Sequence, residues 1–195
     1  MSLLKLIDAA TFYHVLERID AELAETTRRA GCRRCAGVVH KANYPRKPRG
    51  GPPGLPASYG CRTSYCCAVD GCRKRATPPS VRFLARRVYL GAVVVLASAL
   101  QHGVSAFRAR QLKELFGVSQ PTLLRWRSWW LTAFPVSRFW QSLRGRLMPG
   151  VDESTLPCSL VEQFERSSVE GGALVGVLAL LQPISTRPWL EASAS

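Results

Sequence analysis

Apolar residues fall at helical spacing near the start of the chain. Phe12, Val15, Leu16, Ile19 and Leu23 stack on one face, while Glu17, Asp20, Glu22 and Glu25 occupy the rest. The pattern predicts an amphipathic helix within residues 1–30, packing on its own domain or pairing with a second copy. The periodicity then stops. Residues 44–54 hold Pro45, Pro48, Gly50, Gly51, Pro52, Pro53 and Gly54, a density that excludes helix or central strand and predicts an extended loop.

Beyond Pro78-Pro79 the apolar pattern resumes. Ser80 is expected to cap a long helix running through Val81, Leu84, Val88 and Tyr89 toward Leu100, with Gly103 ending it. Residues 106–131 read as two short helices with Gly117 at the turn, Leu112 and Leu115 before it, and Val118, Leu123 and Trp126 after it. Ser119 is the expected N-cap of the second helix, which has Pro121 in its first turn, and Pro135 closes the segment. A basic helix over 139–147, a weakly patterned one over 156–164 and an apolar one over 172–181 follow. Trp126, Trp129, Trp130, Phe134, Phe139 and Trp140 recur at three- and four-residue spacing, which marks a buried stripe rather than a base-stacking platform.

With 195 residues and 47% hydrophobic content the chain can build a core. Its charge is uneven. Residues 28–146 carry 23 Lys/Arg against two acids, Asp70 and Glu114, within a net charge of +14. A basic middle between acidic flanks is the footprint of a polyanion-binding surface. The apolar run 88–100 is well short of the roughly 20 residues that span a bilayer, so no membrane association is expected. No secretory signal is apparent, and a cytoplasmic, nucleoid-associated location is expected.

Seven cysteines in such a chain favour metal binding over disulfides. Cys32-x2-Cys35 and Cys67-x4-Cys72 each place two thiolates on a tight turn, and together they offer the four corners of a structural Zn²⁺ site. Gly71, just before the last cysteine, lets the backbone turn back on the metal. Cys66 competes with Cys67, and Cys61 and His40 lie nearby. Adjacent strand residues point to opposite faces, so only one of Cys66 and Cys67 can face the ion; Cys67 gives the commoner spacing. No His-x-Glu pair accompanies the cysteines to activate a water, which argues against catalytic zinc.

On the second helix of the turn, Gln120, Pro121, Leu124, Arg125 and Ser128 are expected to face outward. The candidate DNA contacts there are Gln120, Pro121, Thr122, Arg125 and Arg127, since Gln and Arg make bidentate contacts with adenine and guanine edges. Arg46, Lys47 and Arg49 of the insert are candidates for phosphate or minor-groove contact, or else a solvated linker.

The order of a zinc ribbon, an Arg-rich strand over 72–78, an apolar helix and then Arg110-Gln111-Leu112-x-x-Leu115-x-Gly117-Val118-Ser119-x-x-Thr122-Leu123-x-Arg125-Trp126 resembles the N-terminal DNA-binding module of insertion-sequence transposases. The resemblance covers about residues 31–130. It implies a module that finds an element's end in double-stranded DNA, with a transposase or a second copy as protein partner. Those enzymes also need three dispersed acids on a further domain. Asp152, Glu153, Glu162, Glu165 and Glu170 are too tightly clustered to supply them, so the expectation is a non-enzymatic accessory or regulatory protein.

The fold expected is mostly α with a small β zinc ribbon and a helix-turn-helix core. Its segments are an N-terminal helix (1–30), a zinc ribbon with the basic insert (31–77), a helix-turn-helix domain (78–147) and a C-terminal helical tail (148–195). The rival function is a protein-interaction adaptor whose ribbon and helices hold a transposase or polymerase.

Overall fold

The computed structural model describes residues 10–52, 54–84, 89–99, 110, 113–114, 116–147, 150–167 and 172–186. Within them the chain is mostly helical, with small antiparallel sheets and a cysteine cluster. Helix α1 is Ala10–Ala30, followed by strands β1 (Val39–Lys41), β2 (Tyr44–Pro45), β3 (Cys61–Arg62), β4 (Tyr65–Cys67) and β5 (Arg75–Ala76). Helices α2 (Gly91–Ala99), α3 (Gln120–Ser128), α4 (Arg138–Leu147), α5 (Cys158–Arg166) and α6 (Ala173–Leu181) complete it. None of the described helices is long and apolar enough to cross a membrane.

Two cores divide the described residues. The large one centres on α2, whose nine residues are all buried, and takes in α6, the tryptophan stripe and the apolar face of α5. A helix apolar all round has to sit in the middle of a core, which is where α2 is found. The tryptophan stripe behaves as its spacing predicts: Trp126, Trp129, Trp130, Phe134 and Trp140 are buried and Phe139 half-buried. The small core holds Ala24, Cys32, Val39, Tyr65 and Cys67, with Cys72 and Ala76 packed against it. Strands β1, β4 and β5 form its sheet in that order, with Val39 opposite Cys67 and Cys66 opposite Arg75. Strands β2 and β3 form a separate pair, so the start of the Pro-rich insert is an edge strand.

Helix α1 belongs to both cores. Phe12, Tyr13 and Leu16 pack into the large one and Ala24 into the small one. Between them Asp20, expected on the polar face, is buried at 5% exposure. Its carboxylate accepts from Ser80 Oγ, from the Val81 N–H at 2.7 Å and from Arg82 Nε at 2.7 Å. Arg82 also reaches Ser58 Oγ, and the Ser80 N–H donates to Ser185 Oγ.

This network corrects the expectation of a helix starting at Ser80. Its hydroxyl accepts from the N–H groups of Arg82 and Phe83 and donates to Asp20, while Phe83 and Leu90 form an isolated bridge. Burying the Arg82 guanidinium demands a paired carboxylate, and the contacts of Asp20 with Ser80, Val81 and Arg82 accompany a non-helical backbone over residues 80–84. The helix therefore begins at Gly91; Val88, Leu100 and Gly103 lie outside the described residues.

Gly117 takes φ +61° and its N–H donates to Lys113 O, as a turn there requires. Leu112 and Leu115 lie outside the described residues. Pro121 sits in the first turn of α3, but Ser119 does not cap with its side chain: its Oγ shares a hydrogen bond with Thr122 Oγ1 at 3.0 Å.

Candidate metal centre

Two turns bring four sulfurs together. In the first, the Ala36 N–H donates to Cys32 O and the Cys32 N–H to Gly37 O, closing a loop around Cys32 and Cys35. In the second, the Cys72 N–H donates to Val69 O, and Gly71 at φ +78° reverses the chain as its position in the sequence predicts. Strand β4 delivers Cys67 from the sheet to the second turn.

The Sγ atoms of Cys32, Cys35, Cys67 and Cys72 all lie within 4.8 Å of one another. Cys32 and Cys72 are 3.7 Å apart, Cys35 and Cys67 3.5 Å, and Cys35 and Cys72 3.5 Å. Disulfide sulfurs sit about 2.05 Å apart, so these are unbonded thiols gathered around a common point. None of the seven cysteines forms a disulfide. The strand alternation decides between the adjacent pair: Cys67 is fully buried in the cluster, whereas Cys66 faces the other side and its thiol donates to Arg73 O. Cys61 and His40 are outside the cluster.

The electrostatics of the bare thiols favour a cation. Backbone N–H donation from Arg34, then from Cys35, pulls the Cys32 thiol down to about 6. At Cys67 the Val69 N–H pulls the same way, but burial and the neighbouring sulfurs outweigh it and push the thiol up to about 12. Four thiols this close cannot all lose their protons without a positive charge between them, and a metal ion supplies that charge. The cluster is thus a set of donors able to hold a metal ion.

Around the cluster the surface is basic. Arg33 and Arg34 on the first turn, Arg73, Lys74 and Arg75 after the second, and Lys41, Lys47 and Arg49 between them are exposed. The single acid of residues 31–77 is Asp70, and it pairs with Arg73 at 2.9 Å. Arg46 is half-buried with its guanidinium 5.6 Å from the centre of the Phe83 ring.

On α3 the expected outward set, Gln120, Pro121, Leu124, Arg125 and Ser128, is exposed, as is Arg127. Thr122 departs from its expected role as a DNA contact. It is buried, and its hydroxyl is engaged by Ser119 and by Arg125 Nη2 at 3.1 Å, so it braces Arg125 instead of facing outward.

Two residues escaped the sequence reading. Asp20 was hidden by its place among the acids of α1, although it falls one turn beyond Leu16 on the buried face. Tyr89, assigned to a helix, instead caps the Gly117 turn by donating its hydroxyl to Gly117 O. No family model, curated protein or solved structure matches this chain.

Proposed function

We propose that the chain is a zinc-stapled protein that binds double-stranded DNA without cutting it, acting with a mobile element as an accessory or regulatory factor. The observation that carries the reading is the exposed basic surface of residues 31–77, where seven cations besides Arg73 stand with no acid left to pair them within the segment. Such a surface neutralises phosphates and releases their counterions. Helix α3 is the reading head in this proposal. With Gly117 as the turn of a helix-turn-helix, Gln120 and Arg125 meet base edges in the major groove.

Zinc is the proposed ion. Zinc–thiolate bonds of about 2.3 Å in a tetrahedron imply sulfur–sulfur edges of about 3.8 Å, close to the separations here. The residues that would hold it are Cys32, Cys35, Cys67 and Cys72, and its role is to fix the two turns. With all four positions taken by protein sulfur, such a site is structural.

The adaptor reading has one feature of its own. Val38 and Val69 are 70% and 44% exposed, and the Ala68 N–H donates to Val38 O, so the two valines share the tip of the cysteine module.

Titrating a labelled duplex against the protein at rising salt separates the two. If about six phosphates are contacted, affinity falls about a thousandfold between 50 and 200 mM salt. A weak, salt-independent response removes the DNA reading and leaves the adaptor. Elemental analysis should give one zinc per chain.

A further inference from the structure

The Pro- and Gly-rich insert, expected as an extended loop, is docked at both ends. Arg49 forms an isolated parallel bridge with Tyr89, and the Leu90 N–H donates to Arg49 O at 3.1 Å. Beside it Gly50 takes φ +84° and lies against α2, where an added Cβ would come within 2.9 Å of the Val93 side chain. At the other end the Arg46 N–H donates to Gly60 O at 2.8 Å. Exposed Lys47 and Arg49 therefore project from fixed backbone.

Tyr89 carries the connection onward. Its ring meets Trp126 of α3 edge-on, with centroids 5.1 Å apart, and its hydroxyl donates to Gly117 O at 3.2 Å. One residue thus holds the insert through its backbone and the start of α3 through its side chain. On α3 itself, Arg125 leans back toward the same end, with Nη2 on Thr122 Oγ1 and that hydroxyl on Ser119 Oγ.

We infer that the insert around Arg49 and the N-terminal end of α3 form one composite surface for duplex DNA, held in register by Tyr89. The inference rests on the DNA-binding reading above and goes past it, because Arg49 and Arg125 then belong to a single footprint. Neither residues 44–55 nor residues 117–128 contain an acid, and the acid nearest to them in sequence is exposed Glu114, three residues before Gly117. A helix seated in the major groove is flanked by phosphates, and an element packed at the helix end meets those phosphates rather than a distant stretch of DNA. Tyr89 is a positioning residue: it touches no DNA and sets where Arg49 stands relative to α3.

The test is a double-mutant cycle on the full chain, using a duplex selected by the protein from a random pool. Arg49→Ala, Arg125→Ala and the pair are each measured with Tyr89 present and with Tyr89→Phe, which keeps the ring on Trp126 and removes only the hydroxyl. Arg125→Ala is expected to weaken binding about tenfold. With Tyr89 present, the pair should depart from the product of the single losses by about threefold or more. In the Tyr89→Phe series the losses should multiply, while circular dichroism and metal content stay at their wild-type values. Simple multiplication with Tyr89 present overturns the composite surface and leaves DNA binding standing. Coupling that survives Tyr89→Phe overturns the role given to the Tyr89 hydroxyl. If the unmodified protein holds no duplex even at low salt, the DNA reading falls and the inference with it.

Discussion

The two cores are held by different physics. The large one buries an entire nine-residue helix and a stripe of tryptophans, so hydrophobic burial is the main source of its order. The small one has five buried residues, two of them cysteines of the cluster, beneath strands two or three residues long. A core that small is marginal without a further tie. One segment of the chain is therefore ordered by packing, while its neighbour gathers four cysteines able to hold a metal ion, and under the proposed function coordination supplies the missing tie.

The largest expected effect breaks the small core alone. Cys67→Ser should abolish metal binding and leave residues 31–77 open to proteolysis, a loss on the order of 10 kcal/mol if the site behaves like other structural zinc sites. Circular dichroism should retain most of its helical signal, and Cys66→Ser should bind metal as the wild type does. Collapse of the whole helical signal would mean that the cores are not separately held.

Next comes Asp20→Ala, which leaves the Arg82 guanidinium buried without its carboxylate and should cost about 3–5 kcal/mol in denaturant unfolding. Because Asp20 sits between the cores, both are expected to loosen, with cleavage appearing in residues 31–77 as well as a lower midpoint. A comparable loss confined to the large core is expected for Leu96→Ala, about 2–5 kcal/mol with metal affinity unchanged. Gly71→Ala should cost about 1 kcal/mol and weaken metal binding, because φ +78° suits glycine and the space around it is open.

The smallest effect is at the exposed end of α1. Glu25 is held down to about 2, from an ordinary 4.5, by hydrogen bonds first from Arg28 and then from Arg29. A lowered carboxyl contributes above its ordinary value, and the contribution disappears as pH falls from about 4.5 toward 2. Solvent screening keeps it slight. Glu25→Gln should shift the melting temperature barely at pH 7 and not at all at pH 2.

Legibility followed the same division. The apolar run of α2 and the tryptophan spacing announced the large core because burial leaves a periodic mark. Cysteine spacing announced the four-cysteine cluster, and strand alternation was enough to choose Cys67 over Cys66. What failed was the expected helix start at Ser80, since residues 80–84 and 89–90 are not helical. The local pattern suits a helix, but a carboxylate sixty-two residues away at Asp20 captures Arg82, and no window of sequence displays that pairing. Docking of the insert was hidden likewise, since Gly50 looks like any loop glycine until Val93 lies beneath it. The segment expected as the first helix before Gly117 lies largely outside the described residues.

Helix α1 sets a phase as well as a length. Its 21 residues extend about 31 Å, and each residue turns the helix by about 100°. Leu16 and Asp20 fix the rotation at one end, while Ala24 passes it to the cysteine module at the other. Inserting one residue between Asp20 and Ala24 would swing the module about 100° around the helix axis, away from its present bearing on the large core. An insertion of four residues would bring it back to nearly the same bearing, displaced by about 6 Å. The helix works as an indexing shaft, so chain length between those two positions is constrained by angle more tightly than by distance.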